Sequence, residues 1–263
     1  MKRKIGINAD SFRGGDIYES LKKIKEHGFE RFFVEGYDAD FIGYKKLADE
    51  LGLTFDFIHA PFRGINDFWL EGDGYKDLFE KICLSIEAAA ACSVPAVITH
   101  LSSGWQPPAV SELGLSRFDA LVEFAEQRDI ILAFENLRNY ENLMVIMERY
   151  KNRGNVRFCY DCGHEYCYTH GVDWIKIFGE KLFCTHIHDN LGYDRTCDPD
   201  IHILPFDGTF DYADMVRRLD KVGYEGPIML EVFNTTKPEY KSLTADEFFA
   251  TCSERAKRIA DMG

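Results

Sequence analysis

The sequence predicts a single α/β domain, a (β/α)8 barrel, on three observations. A short β-rich run followed by an amphipathic helical stretch recurs eight times from one end of the chain to the other. Glycine or proline stands ahead of several of the β-runs, where a helix must stop before the next strand begins. The chain has 263 residues, 46% of them hydrophobic, which suits one barrel better than two smaller domains.

The eight units are read in order. Strands are expected at Lys4–Ala9, Arg31–Gly36, Thr54–Ala60 and Ala96–Leu101, then at Ile130–Asn136, Val156–Asp161, Phe183–Asp189 and Pro227–Phe233. Helices are expected near Ile17–His27, Phe41–Leu51, Tyr75–Cys92 and Ser116–Arg128, then near Leu143–Tyr150, Val172–Phe178, Tyr212–Val222 and Ala245–Ile259. His27-Gly28, Leu51-Gly52, Val94-Pro95, Arg153-Gly154 and Gly226-Pro227 mark helix-to-strand ends. The strand-to-helix connections Phe62–Gly74, Ser102–Ser116 and Asn190–Asp211 are longer, and in a barrel they open on the face where active sites form.

Composition excludes several classes of function. With 44 acidic residues against 31 Lys plus Arg, a formal charge of −13 argues against nucleic acid as a partner, since phosphate-backbone binding draws on basic side chains. No run of apolar residues is long enough to span a membrane, and the N-terminus does not read as an export signal. The eight cysteines are spread through the chain, a pattern that favours reduced thiols, and a cytoplasmic location is expected. Cys159-Tyr-Asp-Cys162 spells a C-x-x-C pair with no second pair to complete a cysteine zinc site, so core packing is the better reading.

The informative feature is where ionisable residues fall. Successive strands end in His59, His100, Glu135, Asp161, His186 and Glu231, His164 follows Asp161 on the exit turn, and the loop after strand seven adds Asp200 and His202. Barrel closure brings these side chains round one rim although they span more than half the sequence. Carboxylates gathered without counter-charge raise one another's pKa values, so a divalent metal is the simplest resolution. Carboxylate oxygens and imidazole nitrogens together suit Mn²⁺, Co²⁺ or Mg²⁺ as readily as Zn²⁺. Glu35 could join the ring or hydrogen-bond a loop. Trp69, Trp105 and Phe62 could cover a substrate or pack the mouth loops, and Arg195 and Arg63 could grip a phosphate or form surface ion pairs.

These motifs resemble the xylose-isomerase-like superfamily of TIM barrels, the sugar phosphate isomerases and epimerases, over nearly the whole chain. His186-Ile-His-Asp-Asn, Asp200-Ile-His202 and Phe206-Asp-Gly208 are similar to the superfamily's H-x-H-D-N, D-x-H and G-x-G pattern, with Phe206 standing where the first glycine is usual. The resemblance implies a metal held by Glu135, Asp161, His186 and Glu231, with Glu135 and Glu231 as acid and base, and His164, His188, Arg195 and Trp105 as substrate-binding residues. Endonuclease IV shares the superfamily. By that analogy Glu135 bridges two metals, one completed by His59 and His100 and the other by Asp161, His186 and Glu231, while His164, Asp200 and His202 hold a third. That repair enzyme places a DNA-contacting Tyr where this chain has Phe62.

Three functions follow from the resemblance and the chemistry. The leading one is a divalent-metal-dependent isomerase or epimerase acting on a small sugar or sugar phosphate through an enediolate. The second is a multinuclear zinc phosphoesterase of small phosphorylated substrates. The third is a metal- and sugar-binding barrel without turnover. The expected cofactor is one to three divalent ions and the expected partner a small-molecule sugar or sugar phosphate, with self-association open.

Overall fold

A computed structural model describes residues 3–193 and 200–263, so Arg195 and Cys197 lie outside the described residues. Eight parallel strands run β1 (Ile5–Asn8), β2 (Arg31–Glu35), β3 (Thr54–His59), β4 (Ala96–Thr99), β5 (Ile131–Glu135), β6 (Val156–Asp161), β7 (Leu182–His186) and β8 (Ile228–Leu230). Each pairs with its sequence neighbour from β1 to β7, and β1 also pairs with β8. Closure comes just past β7, where the Ile187 N–H donates to the Met229 carbonyl (2.8 Å) and the Glu231 N–H donates to the Ile187 carbonyl (3.0 Å). The chain is a single-sheet (β/α)8 TIM barrel, as its repeat predicts.

Helices fill the outside: α1 (Ile17–Glu26), α2 (Phe41–Leu51), α3 (Lys76–Ala91), α4 (Glu112–Glu126), α5 (Tyr140–Arg149), α6 (Cys162–Tyr168), α7 (Trp174–Phe178), α8 (Tyr212–Lys221), α9 (Pro238–Lys241) and α10 (Ala245–Ala260). Two helices start earlier than the hydrophobic pattern suggests, because side-chain caps set their ends. Ser111 accepts from the Gly114 N–H and starts α4, and Asn139 accepts from the Glu141 N–H and starts α5. The sixth unit differs more. A short helix, α6, follows β6 directly, ahead of the expected one, because the Asp161 carboxylate caps it by accepting from the His164 N–H (2.6 Å). Strands four, seven and eight are shorter than read: their last residues leave the ladder and belong to the mouth, which puts His100 and Glu231 just beyond β4 and β8. None of the helices among the described residues is long and apolar enough to cross a membrane.

The barrel interior is a plug of alternating large and small side chains: Phe33, Phe57, Ala96, Ile98, Ala133, Cys159, Cys184 and Met229. Gly6 is the contribution of β1 and leaves room, since a Cβ there would meet the Met229 sulfur at 2.6 Å. Side chains alternate faces along a strand, so the residue two further on points into the same interior one layer higher. That step gives Asn8, Glu35, His59, His100, Glu135, Asp161, His186 and Glu231. An entirely polar layer therefore sits on an entirely apolar one. Trp69 belongs to the packing rather than to the mouth: it is buried, donates its indole N–H to the Leu101 carbonyl (2.6 Å) and packs on Phe118.

Candidate metal centre

Burying the three carboxylates of Glu135, Asp161 and Glu231 in one layer is costly unless each is paired. Glu135 is almost fully buried and receives imidazoles at both oxygens. Its Oε2 lies 3.3 Å from His59 Nε2 and 3.0 Å from His100 Nε2, and its Oε1 lies 3.1 Å from His164 Nδ1 and 3.3 Å from His186 Nδ1. Glu231 Oε2 approaches His186 Nδ1 at 3.4 Å, and Asp161 Oδ2 approaches the same nitrogen at 4.0 Å. One ring nitrogen thus faces three carboxylates and can offer a proton to only one of them.

Potential ligand atoms collect within 4.8 Å of one another in three groups that match the sequence reading: Glu135, Asp161, His186 and Glu231; His59, His100 and Glu135; and His164, Asp200 and His202. In the third group Asp200 Oδ2 lies 3.0 Å from His164 Nε2 and 3.2 Å from His202 Nε2. Its other oxygen is buried with no hydrogen-bond partner among the described residues. An orphaned carboxylate oxygen and a nitrogen shared by three carboxylates are what a donor set built for a cation looks like without the cation, so the residues present fit a divalent metal.

The rings are held for that task. His59 Nδ1 lies 2.9 Å from the Ala60 carbonyl and His202 Nδ1 lies 3.0 Å from the Glu231 carbonyl, which directs each Nε2 inward. Asn136 bridges β5 to β6: its amide donates to the Asp161 carbonyl and its Oδ1 accepts from the Asp161 N–H, both at 2.8 Å. His188 does not line the cavity. It lies fully buried behind Asp161, with Nε2 at 3.1 and 3.2 Å from the two carboxylate oxygens. Asn190 fixes its tautomer. Asn190 Oδ1 accepts from the Ile201 N–H (2.6 Å), so its NH2 faces His188 Nδ1 (3.1 Å) and the imidazole proton sits on Nε2, toward Asp161. Gly163 makes the space, because a Cβ there would fall 2.0 Å from the His188 ring.

Electrostatics of the metal-free cluster follow from this pairing. Burial opposes a charge on His59, but its contact with Glu135 outweighs that and holds the imidazole up at about 9. Burial likewise opposes charge on His202, and Asp200 raises it to about 10. Burial pushes the carboxyls of Glu135 and Asp200 up, yet the imidazoles around them bring both well below the usual carboxylate range. His100 goes the other way, its burial outweighing the pull of Glu135.

The cavity above these groups has a volume of about 280 Å³ and is lined by His59, His100, Glu135, His164, Asp200, His202 and Glu231 together with Phe62, Arg13 and Arg138. Trp105 is partly exposed on the mouth and stands edge-on to Tyr168, outside that lining. Arg13 and Arg138 escaped the sequence reading, and so did the bracing role of Asn136 and Asn190, although Asn190 stands in the His186-Ile-His-Asp-Asn motif. Asn8 could have been found by the two-residue step up from Gly6.

The sequence profile of the xylose isomerase-like TIM barrel family matches residues 21–252. The chain belongs to that family. A protein of Methanocaldococcus jannaschii is 26% identical to it over 253 residues, covering 87% of this chain and 83% of that protein. Among solved structures, the IolI protein with a bound zinc atom superposes at a TM-score of 0.82 with 18% identity, covering 98% of both chains. D-allulose 3-epimerase from Methylomonas sp. in complex with D-allulose gives 0.74 with 15% identity, again over 98% of both. At such identities these two structures speak for the family's fold.

Proposed function

We propose that this chain is a divalent-metal-dependent isomerase or epimerase acting on a small sugar or sugar phosphate. The observation that carries the reading is the convergence of Glu135, Asp161, His186 and Glu231 on one point at the floor of a monosaccharide-sized cavity. The zinc in the IolI protein and the sugar in the allulose epimerase support it by likeness of fold. Zn²⁺, Mn²⁺, Co²⁺ and Mg²⁺ all suit the donor set.

Glu135, Asp161, His186 and Glu231 would hold the divalent ion, whose chemistry would be to polarise a substrate carbonyl and its neighbouring hydroxyl and so lower the cost of removing the proton on the carbon between them. Glu231, just past β8, and Glu135, at the end of β5, act as the base and acid that take and return that proton through an enediolate. His164, on the cavity wall, hydrogen-bonds a substrate hydroxyl, and Trp105 borders the entrance. His188 acts through Asp161 instead of touching substrate. The test is incorporation of solvent deuterium at a substrate carbon across a panel of ketoses, aldoses and their phosphates. The reading predicts exchange that Glu231→Gln abolishes; exchange retained in that variant would contradict the assigned role.

A second reading is a multinuclear phosphoester hydrolase, favoured by the two histidine-rich groups that a mononuclear isomerase does not need. Glu135 separates the two. His59, His100 and Glu135 would hold a metal of their own, and a Glu135 engaged by both groups would not be free for proton transfer, so the isomerase would use only the Glu135, Asp161, His186 and Glu231 group while the hydrolase would need both. Phosphate release from small esters that rises with the number of Zn²⁺ per chain would select the hydrolase.

A further inference from the structure

The cavity over the carboxylate layer continues sideways. A second chamber of about 460 Å³ opens between the loops that follow β1, β2 and β3, and the two share Arg13, Glu35, His59 and Phe62 as a common wall. This is the side of the mouth where β1 and β2 contribute nothing to the three ligand groups, their polar-layer residues being Asn8 and Glu35.

What lines the outer chamber is rigid and charge-balanced. Glu35 Oε1 accepts from the Asn8 amide (2.6 Å), and Arg13 Nη2 reaches both Glu35 oxygens at 3.2 and 3.0 Å. The other Arg13 nitrogen pairs with Asp10, and its guanidinium lies flat over Phe233, 4.2 Å from the ring centre. Donors and acceptors therefore stand side by side in fixed directions. Phe62 stacks on His100 (4.1 Å between centroids) but stays 43% exposed, so ring surface is open to an occupant. Arg13 is matched by both Asp10 and Glu35, with which it pairs, and Arg63 stands exposed at the chamber's edge, so the wall shared with the inner cavity offers no unpaired guanidinium to select a phosphate. Paired donors and acceptors beside an apolar ring fit a neutral polyol, whose hydroxyls both give and accept hydrogen bonds.

We infer that the outer chamber is a subsite for a second, neutral sugar ring, so that the chain acts on a glycoside whose reacting unit sits over the metal centre and whose remaining ring lies against Arg13, Glu35 and Phe62. The inference rests on the reading of the reacting unit as a sugar. Metal-loaded, full-length chain is titrated calorimetrically with free ketoses and aldoses and with the same sugars carrying a glucosyl substituent. At least one glucosylated sugar binds about tenfold or more tightly than its parent, and Glu35→Gln and Arg63→Ala each shrink that ratio severalfold at wild-type metal content. The inference falls if every parent sugar binds as tightly as its glucosylated form, if no glucosylated sugar binds, or if neither variant moves the ratio. Persistence of the ratio without solvent-deuterium incorporation overturns the isomerase reading and leaves the subsite standing.

Discussion

At the scale of single residues, the cluster trades protons for metal. In the metal-free chain His59 is held at about 9 and His202 at about 10, above the ~6.5 of an unfolded chain's imidazole. Their pairing therefore stabilises the fold fully below about pH 6.5, and that contribution is lost as pH rises through 9 and 10. Melting in EDTA should show the thermal midpoint falling over this range. Metal affinity should run the opposite way and strengthen as these imidazoles lose their protons, with protons released on binding at neutral pH, visible as a buffer-dependent heat in calorimetry. His188→Ala, which removes the support behind Asp161 while leaving Glu135, Asp161, His186 and Glu231 in place, should weaken metal binding by about 10- to 100-fold. His59, His100, Glu135, Asp161, His186 and Glu231 were legible in the sequence because each closes an apolar run, where a charge has no other reason to be, and His164, Asp200 and His202 through the family pattern. Their supports were not: Asn136 and Asn190 do their work through backbone groups on neighbouring strands and loops, which sequence spacing does not display.

At the scale of elements, two local features tie the site to the fold. Asp161 is both a candidate ligand and the cap of α6. Asparagine caps a helix about as well as aspartate, whereas alanine does not cap, so the two roles can be separated. Asp161→Asn should lose metal with nearly unchanged metal-free stability, while Asp161→Ala should also lose about 1 kcal/mol in urea unfolding of the stripped chain. Helix α6 itself was not legible, being seven residues long with no stretch in which an apolar period can show. The loop that carries Asp200 and His202 is the second feature. Phe206, in the place where the family pattern has glycine, adopts a left-handed backbone with φ of 72°, and its N–H donates to Asp189 Oδ2 (2.8 Å). The loop thus keeps the shape a glycine would give it, and the ring finds compensation under the Arg258 guanidinium (3.8 Å) and beside Tyr212. Phe206→Ala should be less stable than Phe206→Gly by about 1 kcal/mol, since both lose the ring but only alanine keeps the strained backbone. Equal stabilities would show that the left-handed turn carries no cost.

At the scale of the whole molecule, the barrel explains why residues so far apart in sequence meet. Eight strands each contribute one interior residue to an apolar plug and, two residues on, one to the polar layer above it, so the repeat that fixes the fold also fixes the ring. The number of units, the class of fold and the rim were open to sequence reading because all three follow from one periodicity. The cavity's second chamber and the bracing of the ring were not, because they depend on how loops lie against one another. A metal held by Glu135, Asp161, His186 and Glu231 would tie together the ends of four strands, β5 to β8, so at about 100 times its dissociation constant it should add about 2.7 kcal/mol to stability and raise the thermal midpoint by several degrees. The most direct measurement is elemental analysis of the purified chain, stripped with a chelator and dialysed against Mn²⁺, Co²⁺, Zn²⁺ or Mg²⁺, alongside Asp161→Asn treated in the same way. The account predicts at least one tightly held ion per wild-type chain and loss of that ion in the variant; a folded wild-type chain that takes up none of the four metals, or a variant that holds as much as the wild type, would contradict it.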